Sequence, residues 1–246
     1  MFSGFYTAAS GMLMNQRSLD MAANNIANVK TSGYKPKRLV KTTFNEQLVR
    51  QMNGQTQGLG QGSTISIGTK EMTTHGQAPV VDTGQTYDLA INGDGFFVIQ
   101  GTDGQYLTRN GHFTRDEEGN LILPGVGQVM GDGGPVYVDE GGFRVGADGI
   151  IYDNEDGELD QIQIVEPDDY DNLIFYDNGT YGAGGGVALT QVYPTVCQGK
   201  LEQSGVNLNN EMTRAMEVQR AFQSCGKALT IIDQMNQKTA NDIGKL

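Results

Sequence analysis

The 246-residue sequence contains no tryptophan, two cysteines, two histidines and six prolines. Cys197 and Cys225 are too few for a metal framework or a disulfide scaffold. One bridge between them is one reading, two buried thiols the other. His75 and His112 lie neither beside a cysteine nor at helical spacing, so imidazole-based metal chemistry has no pair to stand on. Without tryptophan, and with its ten tyrosines dispersed, the chain offers no obvious aromatic platform for a sugar ring. Scarce proline against 35 glycines means that turns rely on positive φ, which favours tight hairpins.

Basic residues are also short. The formal net charge is -12, whereas phosphate binding needs clustered Lys and Arg, so nucleic acid is excluded as a partner. No stretch approaches the ~18 apolar residues of a membrane span. The start, Met1-Phe2-Ser3-Gly4-Phe5-Tyr6, has no cationic n-region, its first base being Arg17, so no Sec-type signal peptide is expected.

What is present is unevenly distributed. Residues 1–44 carry a net +5 and residues 82–181 a net -18, while 45–81 are balanced and 182–246 carry +1. Phe5, Ala9, Met12, Gln16, Leu19, Ala23 and Ile26 recur at alternating four and three, a heptad seam with one polar interruption. Gly33, following Asn28 and Thr31-Ser32, stands where such a helix would stop. Near the other end Leu208, Met212, Met216, Gln219, Phe222, Cys225, Leu229, Ile232 and Met235 recur every three or four residues, capped by Asn207 or Asn209. Gly226 interrupts that helix at about 1 kcal/mol against Ala unless a neighbour packs close.

From about 64 to 196 short apolar runs alternate with glycine turns, among them Leu89–Ile91, Phe96–Ile99, Leu121–Leu123, Val136–Val138 and Ile150–Tyr152. Asp103-Gly104, Asp132-Gly133, Asp148-Gly149 and Asp156-Gly157 are hairpin signals. Residues 51–63, polar and Gly/Gln-rich, read as a linker. The fold class expected is α+β: N- and C-terminal helices form a coiled-coil-like inner domain (1–35 and 200–246). An extended linker (36–63) leads to a central antiparallel β-rich outer domain (64–199).

Chemistry-bearing motifs are missing. The acidic run from Asp153 to Glu158 puts Tyr152 at position one of a calcium loop whose glycine would be Gly157, so the pattern fails. Gly182 to Gly186 lacks the Lys-Ser/Thr of a phosphate loop. No Gly-x-Ser-x-Gly elbow occurs, and 29 acids single out no catalytic pair. No catalytic, cofactor or metal site is expected.

Three blocks carry a resemblance. Ala9-Ser10-Gly11-Met12 with Asn24-Asn25-Ile26-Ala27-Asn28-Val29-Lys30-Thr31-Ser32-Gly33-Tyr34-Lys35 is similar to the N-terminal signature of bacterial flagellar basal-body rod proteins, in the rod/hook axial family. Asp88-Leu89-Ala90-Ile91-Asn92-Gly93-Asp94-Gly95-Phe96-Phe97-Val98 with Leu107-Thr108-Arg109-Asn110-Gly111-His112-Phe113 resembles that family's β core. Leu201-Glu202-Gln203-Ser204-Gly205-Val206-Asn207-Leu208, Glu211-Met212 and Gln219-Arg220-Ala221-Phe222-Gln223 resemble its C-terminal helix. Two departures stand out: Gly205 where the family usually has Asn, which should loosen that turn, and Phe222 where it often has Tyr.

The resemblance implies a structural subunit that assembles with itself and with neighbouring rod and hook proteins, outside the cytoplasmic membrane and without insertion into it. It also implies passage through the flagellar type III export apparatus without a cleaved signal. Assembly contacts are expected at Phe5, Met12, Gln16, Leu19, Asn24, Asn25, Ile26, Asn28, Leu208, Met212, Gln219, Phe222, Leu229 and Ile232. Structural roles in the β domain are expected for Asp88, Gly93, Gly95, Phe96, Phe97, Arg109, Asn110 and Gly111. Gln16 and Gln219 would fix helix register. A hook-like protein is the alternative within the family; a secreted β-rich carbohydrate-binding or hydrolytic protein and a calcium-dependent adhesin are the others.

Overall fold

Residues 2–27 contain no proline and only two β-branched side chains, Thr7 and Ile26, so nothing interrupts a helix there. In the computed structural model α1 spans Phe2–Ala27. Residues 2–43, 66–102, 104–139, 142–153, 157–176, 178–184 and 186–243 are described. The linker reading at 51–63, Asp103, residues 154–156 of the acidic run and Gly185 lie outside them. The helix stops at Ala27, before Gly33, because Asn28 opens a turn: Thr31 N donates to Asn28 O at 3.2 Å and Thr31 Oγ1 to Asn28 Oδ1 at 3.1 Å. The second helix, α2, spans Leu208–Ile243. Asn207 is its N-cap, Oδ1 accepting from Asn210 N at 3.2 Å.

The chain divides into two compact units, residues 1–27, 37–73 and 207–246 against 28–36 and 74–206. The first unit pairs α1 with α2 antiparallel: a Cβ on Gly4 would lie 3.7 Å from Ile232 and one on Gly11 3.4 Å from Cys225 Sγ. Beside the helices is a hairpin of β1 (Lys37–Thr43) and β2 (Ser66–Thr73). Its register runs from Lys37↔Thr73 to Thr43↔Ser66 with a bulge between Val40 and Lys41. Residues 37–43, expected within a linker, are thus a strand.

The second unit is antiparallel β. Its first strands are β3 (Val80–Asp82), β4 (Leu89–Asn92), β5 (Phe96–Gly101), β6 (Gly104–Thr108), β7 (Thr114–Arg115), β8 (Leu121–Leu123), β9 (Gly127–Gly131) and β10 (Gly134–Pro135). Then come β11 (Arg144–Val145), β12 (Ile150–Tyr152), β13 (Glu158–Gln161), β14 (Ile164–Pro167) and, after a 3-10 turn at Tyr170–Asn172, β15 (Leu173–Phe175). The last are β16 (Tyr181–Ala183), β17 (Leu189–Gln191), β18 (Thr195–Gln198) and β19 (Lys200–Glu202). The largest sheet runs β15-β16-β6-β5-β9-β8-β7, with β10 on β9 and β14 on both β5 and β17. Smaller sheets are β11-β12-β13, β18-β4 and β19-β3.

Strand β5 explains the unbroken Phe-Phe-Val-Ile run, since both of its faces are buried and successive side chains alternate. Phe97 and Ile99 enter the main core with Leu89, Leu121 and Val129. Phe96 and Val98 enter a second cluster with Leu107, Val165 and Tyr181. Val136–Val138, expected as a strand, joins the sheet irregularly, because the chain passes there from β9 to the β8 side: Leu121 N donates to Val136 O and Val138 N to Gly119 O, each at 2.8 Å. Both valines are buried, and Val136 N reaches Val129 O at 2.9 Å.

Candidate assembly faces and a buried charge cluster

In the helical unit the buried line along α1 is Met14, Ser18, Ala22 and Asn25, one face round from the heptad seam. Small side chains let the helix axes approach, so the bulkier seam residues flank the contact. Met12, Leu19 and Ile26 are half-buried, as are Phe222, Leu229 and Ile232 on α2, and Asn28 just beyond α1. Phe5, Gln16, Asn24, Leu208, Met212 and Gln219 are exposed. Polar contact across the helix pair comes from Asn15 Nδ2, 3.8 Å from Cys225 Sγ. Cys197 and Cys225 are both free thiols.

Asn25 is held inside the chain. Its Oδ1 accepts from Lys37 N at 3.1 Å and its Nδ2 donates to Lys37 O at 2.9 Å. The side-chain amide so imitates a β-ladder partner and fastens the start of β1 to the end of α1. Around the pair, large apolar side chains face solvent: Leu13 at 63% exposure, Met216 at 57%, Ile231 at 56% and Met235 at 61%. Soluble monomers rarely leave such a series uncovered.

In the β unit the motif residues converge on two local structures. Asp88 is buried, 2.7 Å from His112 Nδ1, and accepts from Thr83 Oγ1 at 2.6 Å. Asn110 Oδ1 accepts from His112 N at 3.1 Å. Leu89 N donates to Gly111 O at 3.0 Å, so close that a Cβ on Gly111 would collide with Leu89 O. Gly93 and Gly95 take φ of 128° and 118°, which L side chains rarely adopt. Phe97 meets Phe113 edge to face at 5.2 Å between centroids.

The second structure centres on Glu202. Its carboxylate accepts from Lys35 Nζ at 2.5 Å, Ala78 N at 2.8 Å and Arg109 Nη1 at 3.4 Å. Lys35 and Glu202 are each 1% exposed and Arg109 3%. Lys35 Nζ also donates to Gly76 O at 2.9 Å. Burial draws the Lys35 pKa below the usual lysine value, opposed by the hydrogen bond and charge of Glu202. The Arg109 guanidinium lies 5.4 Å from the centroid of the Phe96 ring. Burial pushes the Tyr181 hydroxyl up strongly and Tyr170 up to about 12, the latter with help from Glu166. Arg109, expected to have a structural role in the β domain, meets Glu202 here, together with Lys35; neither Lys35 nor Glu202 was singled out from the sequence although both sit in the motif blocks. A charge at a strand end carries no spacing that marks it as buried.

Among the described residues no group of three or more His, Cys, Asp or Glu could hold a metal, and no helix is long and apolar enough to cross a membrane. The flagellar basal-body rod protein FlgF of Caulobacter vibrioides is 33% identical over 256 aligned positions, covering 100% of both chains. The chain belongs to the flagellar basal-body rod protein family. FlgG of Bacillus subtilis is 34% identical over 268 positions, covering 98% of this chain and 99% of its own. FlgF of Rhizobium meliloti is 32% identical, with 90% of each chain covered. Family models match three stretches: "Flagella basal body rod protein" at 5–35, "Flagellar hook protein FlgE/F/G D1 domain" at 90–127 and "Flagellar basal body rod FlgEFG protein C-terminal" at 198–243. As a member the chain is a structural subunit of the rod in the flagellar basal body.

Proposed function

We propose that this rod subunit assembles with copies of itself, and end to end with other rod and hook proteins, into a tubular drive shaft that carries motor torque to the hook. The observation that supports the reading is the exposure of four large apolar side chains on the helices of the helical unit, Leu13, Met216, Ile231 and Met235. Contacts that pair different faces of identical subunits extend into a helical filament wherever their rotation does not close a ring. In this reading Phe5, Leu208 and Met212 gain partners from neighbours, Gln16 and Gln219 fix register between helices packed as a coiled coil, and the β-rich part lies at larger radius. In the same proposal the helical unit (1–27, 37–73 and 207–246) is the assembly domain and the β unit (28–36 and 74–206) the outer one, in place of the bounds expected from the sequence at 35, 63 and 199. The chain reaches its site through the flagellar type III export apparatus without a cleaved signal, and it performs no catalysis.

The test is assembly of purified protein followed by light scattering and negative-stain microscopy, with Leu13→Ser/Met216→Ser beside the parent. Filaments from the parent and none from the folded variant are expected. Equal assembly by both would remove these side chains from the interface.

A further inference from the structure

The chain passes between its two units at 27/28, 36/37, 73/74 and 206/207. Each of these crossings lies at an end of one of three segments of the β unit, 28–36, 74–79 and 199–206, and the three are bound to one another. Gly33 N donates to Glu202 O and Gly205 N to Tyr34 O, each at 2.9 Å, while Thr74 N donates to Pro36 O at 3.0 Å and Gln203 N to Pro79 O at 2.9 Å. The Glu202 carboxylate joins all three at one point, since it accepts from Lys35 Nζ of the first and Ala78 N of the second. Lys35 Nζ also donates to Gly76 O at 2.9 Å. Gly33, Tyr34, Lys35 and Pro36 are all buried. Gly33, at φ 69°, lies against the Arg109-Asn110 backbone, and the Tyr34 ring meets Phe175 edge to face at 6.0 Å.

Segment 28–36 enters the β unit and leaves it again, so it acts as a staple. Were it loose, the β unit would be tied to the rest of the chain only at 73/74 and 206/207, two single strands with two soft dihedrals at every residue. Anchored, it adds the crossings at 27/28 and 36/37, and twist divided among all of them strains each less than twist borne by two. We propose that Lys35 and Glu202 form a clasp that carries twist: the ion pair binds the connecting segments into one load path, while the β unit holds its own fold without it. Loss of Lys35 leaves Glu202 paired with the buried Arg109 guanidinium and with Ala78 N. Removing one partner of a buried pair is severe only where the other charge is left uncompensated, so β5 and β6 keep their packing and the staple alone loosens. The clasp rests on the reading of this chain as a drive-shaft subunit.

Lys35→Met in the full chain, expressed in cells in place of the parent, tests the clasp. In the purified variant, hydrogen exchange at the Gly33 and Gly205 amides is expected to quicken by about 10- to 100-fold, with β5 and β6 unchanged. The cells are expected to build complete rods and hooks and to swim in dilute medium, but to lose swimming in viscous methylcellulose that the parent still crosses. Swimming equal to the parent's under that load, or unchanged exchange at Gly33 and Gly205, would overturn the clasp. Rods missing already in dilute medium would overturn it too, because Lys35 would then act in assembly. A variant that does not fold, or whose exchange quickens throughout β5 and β6, contradicts it as well, since the β unit is held to fold without the clasp. Complete rods in cells that lack the protein altogether would instead remove the drive-shaft reading itself.

Discussion

Gly111 and Tyr181 make opposite predictions at the scale of single residues. A Cβ on Gly111 runs into the Leu89 carbonyl oxygen, in a contact between backbones that no rotamer can relieve. Gly111→Ala is therefore expected to lower stability by at least about 3 kcal/mol, read from urea unfolding. Tyr181 buries a hydroxyl with no hydrogen-bond partner among the described residues. Removing such a group relieves a desolvation penalty, so Tyr181→Phe should be neutral or stabilising by up to ~1 kcal/mol. The same side chain makes stability fall in alkali. Its folded pKa lies above the unfolded value of 10.0, so the unfolded chain ionises first and the native state weakens as pH rises beyond about 10. Tyr170 acts in the same direction, and Lys35, whose folded pKa is depressed, opposes both as pH approaches 10.5. Melting curves between pH 9 and 11 should fall less steeply for Tyr181→Phe than for the parent; equal slopes would contradict the assignment.

At the scale of elements, α2 contains a glycine that its own chain does not require. Nothing lies within 4 Å of a Cβ built on Gly226, so Gly226→Ala should stabilise the monomer by about 0.5 to 1 kcal/mol. If that variant also assembles poorly, Gly226 seats a neighbouring helix. Phe222 is half-buried in the single chain, so Phe222→Ala should cost less than the ~3 to 5 kcal/mol of a fully buried phenylalanine and harm assembly more than folding. Both helices keep apolar surface that only partners could cover, and tertiary contact supplies most helix stability. Amide protection in 1–27 and 207–243 should therefore rise on assembly, as hydrogen exchange of monomer and filament would measure.

The elements that were legible in the sequence are those whose signal is local. The long helices followed from three-four spacing, the Asn207 cap from residue type, and strands such as Leu89–Asn92 and Phe96–Gly101 from apolar runs between glycines. The buried line of α1 was displaced from the seam because a heptad pattern counts large apolar residues, whereas close packing here uses Gly11, Ser18 and Ala22. Gly205 was expected to loosen its turn; a Cβ there would sit 3.0 Å from Pro36 Cδ, so a side chain at that position needs the proline to give by a few tenths of an ångström. The Glu202 cluster was not legible, since Lys35, Arg109 and Glu202 meet across separations that leave no periodicity. Arg109 was singled out by its motif alone.

For the whole molecule, charge follows the division into units. The helical unit carries a net +4 and the β unit a net -16. Like chains of net charge -12 repel one another, and ions screen that repulsion, the Debye length falling from ~30 Å at 0.01 M to ~8 Å at 0.15 M. The critical concentration for assembly should accordingly fall as salt is raised over that range, as sedimentation would show. A rise instead would mean that attraction between units of opposite charge dominates the contacts.

The most direct measurement is electron microscopy of basal bodies from cells in which this protein has been removed, paired with a swimming assay. Rods that stop short and carry no hook, in non-motile cells restored by the intact gene, are predicted. Complete rods with hooks and normal swimming would contradict the account.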